Sequence, residues 1–231
     1  MKNSIEDKIL QARELLEKSD GVLISASNGL SIAEGFNIFK DDKNFRKYFN
    51  EFKTLYGIGS LIQGVFAQLP ESEHRIFMRR VHQYLIDDYQ PTETFSNLKK
   101  IIGKKDYFVV TSNADTHFQL NEFDNDCIWE VEGNFDGLVE NSLDWKKQKS
   151  NFQEFINNNE DKKVVQLELG IGANNRLIKQ PLMNLVAQTN NWSFITLNMP
   201  SEINIAPEIA NRSIALPGDI NQTFQELLVK E

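Results

Sequence analysis

The feature that most constrains this chain is a recurring unit. A short apolar run ends in polar or glycine residues, and a stretch with helical spacing follows. The apolar runs are "GVLI" at 21–24, "YFVVTSN" at 107–113, "CIWEVEG" at 127–133, "KVVQLELGIG" at 163–172, "WSFITLN" at 192–198 and "RSIALPGDI" at 212–220. Between and around them lie helical patterns. Ile5, Ile9, Leu10, Leu15 and Leu16 are spaced for one helix, and a second is predicted to start near Ser31. Most of 40–100 reads as helical, punctuated by Pro70 and Pro91, and "QPLMNLVAQT" and "NQTFQELLVKE" supply two more helices. Strands alternating with helices predict an α/β fold, a mostly parallel sheet with helices on both faces. In such sheets ligands bind in the crevice beyond the carboxyl ends of the strands. The tails at 25–29, 111–115, 170–175 and 196–199 are predicted to meet there.

Composition narrows the function. A net charge of −8 disfavours non-specific binding to nucleic acid. Cys127 is the only cysteine in 231 residues, so neither a disulfide framework nor an all-cysteine zinc site can form within one chain. His74 and His82 lie two helical turns apart, too far to share an ion, and His117 stands in another segment. No metal is expected. The first twenty residues are charged throughout and lack the apolar core of a signal peptide. No apolar run approaches the roughly 18 residues that span a bilayer. The chain is expected to be soluble and cytoplasmic, with neither membrane nor nucleic acid as partner.

Several segments resemble the sirtuin family. "SNGLSIAEGFNIF" resembles its glycine-rich signature, and "TSNADTHF" resembles its Thr-Gln-Asn-Ile-Asp-Gly-Leu-His motif. "KKDYFVVTSNADTHFQ", then "EGNFDG", then "LELGIGANNRLIKQP", with "DI" near the end, are most similar to the macrodomain-linked branch, class M. The resemblance runs from about residue 20 onward. It implies one sirtuin-like domain over 1–231, with a Rossmann-like core at about 1–39, 95–140 and 163–231. A mainly helical insertion would fill 40–94, and a reduced, zinc-free small lobe about 140–162. It also implies that NAD is the cofactor, held in extended form, and that the nicotinamide–ribose bond is cleaved. Class M implies protein ADP-ribosylation, with a lipoylated carrier protein as acceptor and a macrodomain protein as partner.

Site residues follow from the same motifs. Loss of nicotinamide leaves a cationic ribosyl centre, which needs orienting hydrogen-bond groups and nearby negative charge. Asn113 offers an amide and Asp115 a carboxylate, two residues apart after a strand. Such a pair can also cap the next helix. Ser25, Ala26, Ser27, Gly29, Ser31 and Gly35 would form a modified phosphate cradle, with serines where class M members usually have glycines. Gly170, Gly172, Asn174 and Asn175 would hold pyrophosphate and adenosine-ribose, and Asn198 would lie near the adenine. Glu132 stands where deacylating members carry histidine and class M members usually carry glutamine. His117 is placed near the crevice. Leu143, Trp145, Phe152 and Phe155 would hold the shortened lobe by packing. The alternative to a transferase is a catalytically degenerate sirtuin fold that binds NAD or ADP-ribose as a sensor or assembly module. Lysine deacylation is disfavoured without the histidine.

Overall fold

The fold is seen in a computed structural model, which describes residues 4–229. Six parallel strands form one sheet in the order β3-β2-β1-β4-β5-β6. They are β1 (Gly21–Ala26), β2 (Asp106–Thr111), β3 (Ile128–Glu130), β4 (Val164–Leu169), β5 (Trp192–Asn198) and β6 (Ser213–Pro217). Each predicted run contributes one strand. β1 and β4 are buried along their whole length, as central strands covered on both faces must be. The strand order reverses between β1 and β4, so the crevice of a doubly wound sheet opens at their carboxyl ends.

Ten α-helices accompany the sheet among the described residues. They are α1 (Ile5–Lys18), α2 (Asn28–Glu34), α3 (Lys43–Tyr56), α4 (Leu61–Val65), α5 (Glu71–His82), α6 (Glu93–Ile102), α7 (His117–Leu120), α8 (Leu143–Asn159), α9 (Lys179–Gln188) and α10 (Ile220–Leu228). The pleat divides the core in two. Val22, Ile24 and Ala26 of β1 face α1, α6 and α10 through Leu16, Leu98 and Phe224. Leu23, Phe108 and Phe194 face α8 and α9 through Phe152, Phe155, Leu182 and Val186. A third cluster, built on Phe45, Phe49, Phe52 and Phe77, closes α3, α4 and α5 on one another. The α3 aromatics Phe45, Phe49 and Phe52 are therefore core packing, while Tyr56 at the end of the helix is exposed.

Residues 143–159 fall in the segment expected to form the reduced lobe. They form a continuous 17-residue helix, α8, that connects β3 to β4 and packs on the sheet. Trp145, Phe152 and Phe155 are buried as expected, but Leu143 is 84% exposed and holds nothing. No described helix is long and apolar enough to cross a membrane.

Candidate functional site

The carboxyl ends of β1, β2 and β4 meet at a close backbone crossing. Gly29 opens α2, Gly170 follows β4, and the Gly29 amide donates to the Gly170 carbonyl at 3.0 Å. A Cβ on Gly29 would lie 2.4 Å from the Gly170 Cα, and one on Gly170 would lie 2.4 Å from the Gly29 Cα. Gly170 also takes a φ of +62°, in the left-handed region. Both glycines are required by this contact, whatever binds nearby.

Beside the crossing, Ser31 on α2 joins the two residues of the Asn-x-Asp motif. Its hydroxyl donates to Asp115 Oδ2 at 2.8 Å and accepts from Asn113 Nδ2 at 3.0 Å. Asn113 Nδ2 also donates to the Ser27 carbonyl at 3.2 Å. A carbonyl only accepts, so this contact fixes the amide orientation and uses both of its protons. What remains is Asn113 Oδ1, buried and without a partner. The side chain read from sequence as both donor and acceptor is left as an acceptor alone. The second carboxylate oxygen of Asp115 accepts from the His117 amide at 3.1 Å, which starts α7.

His117 is 1% exposed, and both its ring nitrogens face acceptors. Nδ1 meets Glu34 Oε2 at 2.7 Å and Nε2 meets the Leu85 carbonyl at 2.9 Å. Only an imidazolium donates from both nitrogens. Burial works against that charge, but the Asp115 charge and the hydrogen bonds to Glu34 outweigh it and raise the pKa above the usual histidine value. Asp115 Oδ2 lies 3.7 Å from Nδ1. Tyr89 stacks on the ring at 4.0 Å between centroids and donates to Glu34 Oε1, while Phe36 meets the ring edge-on at 4.7 Å. Leu85 belongs to a π-helical turn, Gln83–Asp87, that continues α5, so the cation ties the helical insertion to the motif. Sequence placed His117 near the crevice, but Glu34 and Tyr89 were missed. They stand 83 and 28 residues away from it in sequence, where no local spacing reports a contact.

The other expected site residues have more modest placements. Ser25 lies inside β1, fully buried, and its hydroxyl accepts from Gln166 Nε2 at 3.3 Å. Ala26 is the last residue of β1 and faces the core. Of the two serines expected in the loop, only Ser27 stands there, with its hydroxyl bonded to that of Ser112 at 3.0 Å. Gly35 ends α2 with a φ of +106°. Gly172 and Asn174 are exposed on the loop after β4. Asn175 accepts through Oδ1 from the amides of Leu177, Ile178 and Lys179, so it organises the start of α9. Asn198 donates to the Ile171 carbonyl at 2.7 Å and accepts from the Met199 amide, which fastens the β4 and β5 loops together. Glu132 is exposed, and partial burial together with Glu140 pushes its carboxyl above the usual range. Gly133 beside it has a φ of +76°, and a Cβ there would lie 2.4 Å from the Leu138 carbonyl oxygen. That glycine belongs to a tight turn. A cavity of about 660 Å³ lies away from Asn113 and Asp115, between the loop holding Asn174 and Asn175, α9, and the loop at 204–208. Among the described residues, no group of three or more His, Cys, Asp or Glu side chains stands close enough to hold a metal.

The architecture has close counterparts among solved structures. A sirtuin structure concerned with substrate affinity matches with a TM-score of 0.59 at 12% identity, covering 94% of this chain and 97% of that one. A structure concerned with the mechanism and regulation of Sir2 enzymes matches with a TM-score of 0.58 at 15% identity, covering 96% and 97%. This chain has the sirtuin fold. A third structure on that fold is a Sir2 variant with a p53 peptide and NAD, matching with a TM-score of 0.55 at 13% identity over 95% of this chain and 97% of that one. Two curated proteins are similar to this chain in sequence. A protein ADP-ribosyltransferase of Staphylococcus aureus is 20% identical over 277 aligned positions, 94% of this chain and 87% of the relative. A Fusarium oxysporum protein named as a bifunctional ADP-ribose hydrolase/ADP-ribosyltransferase is 30% identical over 138 positions, 58% of this chain. The match spans only 23% of that larger protein. No protein-family profile matches the chain.

Proposed function

We propose that this chain is an NAD-dependent protein ADP-ribosyltransferase of the class M sirtuin type. The observation that carries the reading is the free Asn113 Oδ1. A buried acceptor without a donor is costly to leave unmade, and a carboxamide N–H supplies the missing donor. The residues therefore suit the nicotinamide end of NAD. Bound there, NAD supplies an ADP-ribosyl group whose nicotinamide departs with the electron pair of the glycosidic bond. Asn113 orients the carboxamide. Asp115, fixed by Ser31 and the His117 amide, sets negative charge beside the reacting carbon. Glu132, with its raised carboxyl pKa, takes the proton that the acceptor nucleophile gives up as its bond to that carbon forms. The names of the two curated relatives support transfer over deacylation. A lipoylated carrier protein is the proposed acceptor and a macrodomain protein the proposed partner, both from the class M resemblance.

One observation favours a second reading, a binding module without turnover. Both Asp115 oxygens already have protein partners, and the His117 imidazolium beside them offsets the carboxylate charge. A nicotinamide-release assay with a lipoylated carrier supplied separates the two. Under the transferase reading, Asp115→Asn lowers turnover by about 10²–10³-fold while NAD affinity changes far less. Glu132→Gln restores the residue usual in class M but removes the proton acceptor, so turnover should fall; activity kept or raised would take Glu132 out of the mechanism and leave the rest of the transferase reading. Binding of NAD with no nicotinamide release by the wild type would leave only the module.

A further inference from the structure

The loops after β4 and β5 share a buried fastener. Lys179 opens α9, and it is 0% exposed. Its ammonium donates to Glu168 Oε1 at 2.8 Å, to the Ile171 carbonyl at 3.2 Å and to the Glu202 carbonyl at 3.2 Å. An ammonium has three protons, and here each has an acceptor. Glu168 lies in β4, Ile171 in the loop after β4 and Glu202 in the loop after β5. One side chain thus binds the sheet and both loops at its carboxyl edge. Asn175, further along the first loop, accepts from the Lys179 amide and so sets where the lysine stands.

Attraction between the charges does not account for this arrangement. A buried ion pair gains little over apolar residues of the same volume, because both charges leave water. Burial also pushes the Glu168 carboxyl above its usual range in spite of the lysine. What an apolar side chain could not supply is the two N–H bonds to the loop carbonyls. Other contacts tie the same loops. Asn198 donates to the Ile171 carbonyl at 2.7 Å. Glu202 Oε2 accepts from the Ala173 amide at 2.9 Å, and Asn204 Nδ2 donates to the Ala173 carbonyl at 2.9 Å. The two contacts at Ala173 are part-buried and exposed, so water competes for them. The ammonium lies in the core, where a donor removed leaves its acceptors unpaired.

We propose that Lys179 is a positioning residue for nucleotide binding, holding the loops at 170–175 and 199–204 at the separation that receives the adenosine end of NAD. The proposal rests on the NAD reading, in which these loops hold pyrophosphate and adenosine-ribose. Three variants of the full chain separate position from stability. Lys179→Met removes the three N–H bonds and strands Glu168. Glu168→Gln keeps an acceptor oxygen for the ammonium and puts an amide in place of the unpaired Oε2. The double variant lacks both charges, regains part of the lost stability, and keeps the test decisive if Lys179→Met fails to fold. In calorimetry with NAD and with ADP-ribose, Lys179→Met and the double variant should bind about tenfold more weakly or worse, and Glu168→Gln within about threefold of the wild type. In hydrogen exchange without nucleotide, amides at 171–175 and 199–204 should exchange about tenfold faster in the double variant, while those of β4 and β5 keep their protection. A purely structural lysine would instead let affinity follow stability, so that the double variant recovers both. Wild-type affinity in the double variant, equal losses in Lys179→Met and Glu168→Gln, or unchanged loop exchange would each overturn the proposal alone. A wild type that binds neither nucleotide would overturn the NAD reading and the positioning role with it.

Discussion

Replacing His117 with Gln tests the buried imidazolium directly. The ring donates to Glu34 at one end and to the Leu85 carbonyl at the other. A glutamine amide can donate from one end only, so its carbonyl must face an acceptor. It also leaves Glu34 and Asp115 buried without the cation between them. Removing one member of a buried charge group costs about 3–5 kcal/mol. At about 2–4 °C per kcal/mol for a chain of this size, melting should fall by about 6–20 °C. The pH dependence is the sharper test. Because the folded pKa of His117 is raised, its contribution is full below the unfolded value, about 6.5, and declines as pH rises through the folded pKa. Urea denaturation of the wild type should therefore show stability falling above about pH 6.5, with a steeper slope than His117→Gln shows. His82, also raised, chiefly by its hydrogen bond to Asp136, titrates the same way in both proteins and cancels in the difference. Equal slopes in the two proteins, or a loss below about 1 kcal/mol, would show that the ring is neutral and one hydrogen bond is misassigned.

Gly170→Ala should destabilise by more than about 4 kcal/mol, because it adds a left-handed penalty to a 2.4 Å collision with the Gly29 backbone. Gly35→Ala, strained in φ but in open space, should cost only about 1–3 kcal/mol, and the same denaturation series compares the two. Lys179→Met should cost about 3–5 kcal/mol by stranding Glu168, to which the lysine donates at 2.8 Å in the core. Adding Glu168→Gln should recover part of that loss in the same assay. Ser27→Gly should tighten NAD binding in calorimetry if the loop serine crowds the phosphates, whereas Ser25→Gly should lower stability and leave affinity unchanged.

Much of the fold was legible because strand burial leaves a direct mark in sequence. Runs such as "WSFITLN" sit in the one sheet between two helix layers and carry mainly apolar side chains, and "VVQLEL" is buried throughout with Gln166 and Glu168 as its polar exceptions, so the strands fall where the runs are. α8 was harder. Its buried Trp145, Phe152 and Phe155 are separated by lysines, glutamines and asparagines, and the helix holds the sheet along a narrow stripe. The site is legible only in part, because residue type does not disclose which partner a polar side chain takes. Asn113, Asn175 and Asn198 look alike in the sequence, each an amide in a loop or at a strand end. Asn175 spends its carbonyl on three backbone amides, and Asn198 uses both ends to bind two loops. Neither keeps buried capacity for a ligand. Asn113 differs because Ser27 and Ser31 take both of its protons and nothing takes its carbonyl. Asn159 and Gln166 also keep an unpaired carbonyl, so what sets Asn113 apart is the free acceptor together with its place beside Asp115 at the carboxyl end of the sheet. A structural cap would use the carbonyl, as Asn175 does. Under the proposed reading, the nicotinamide carboxamide would fill the unused acceptor of Asn113.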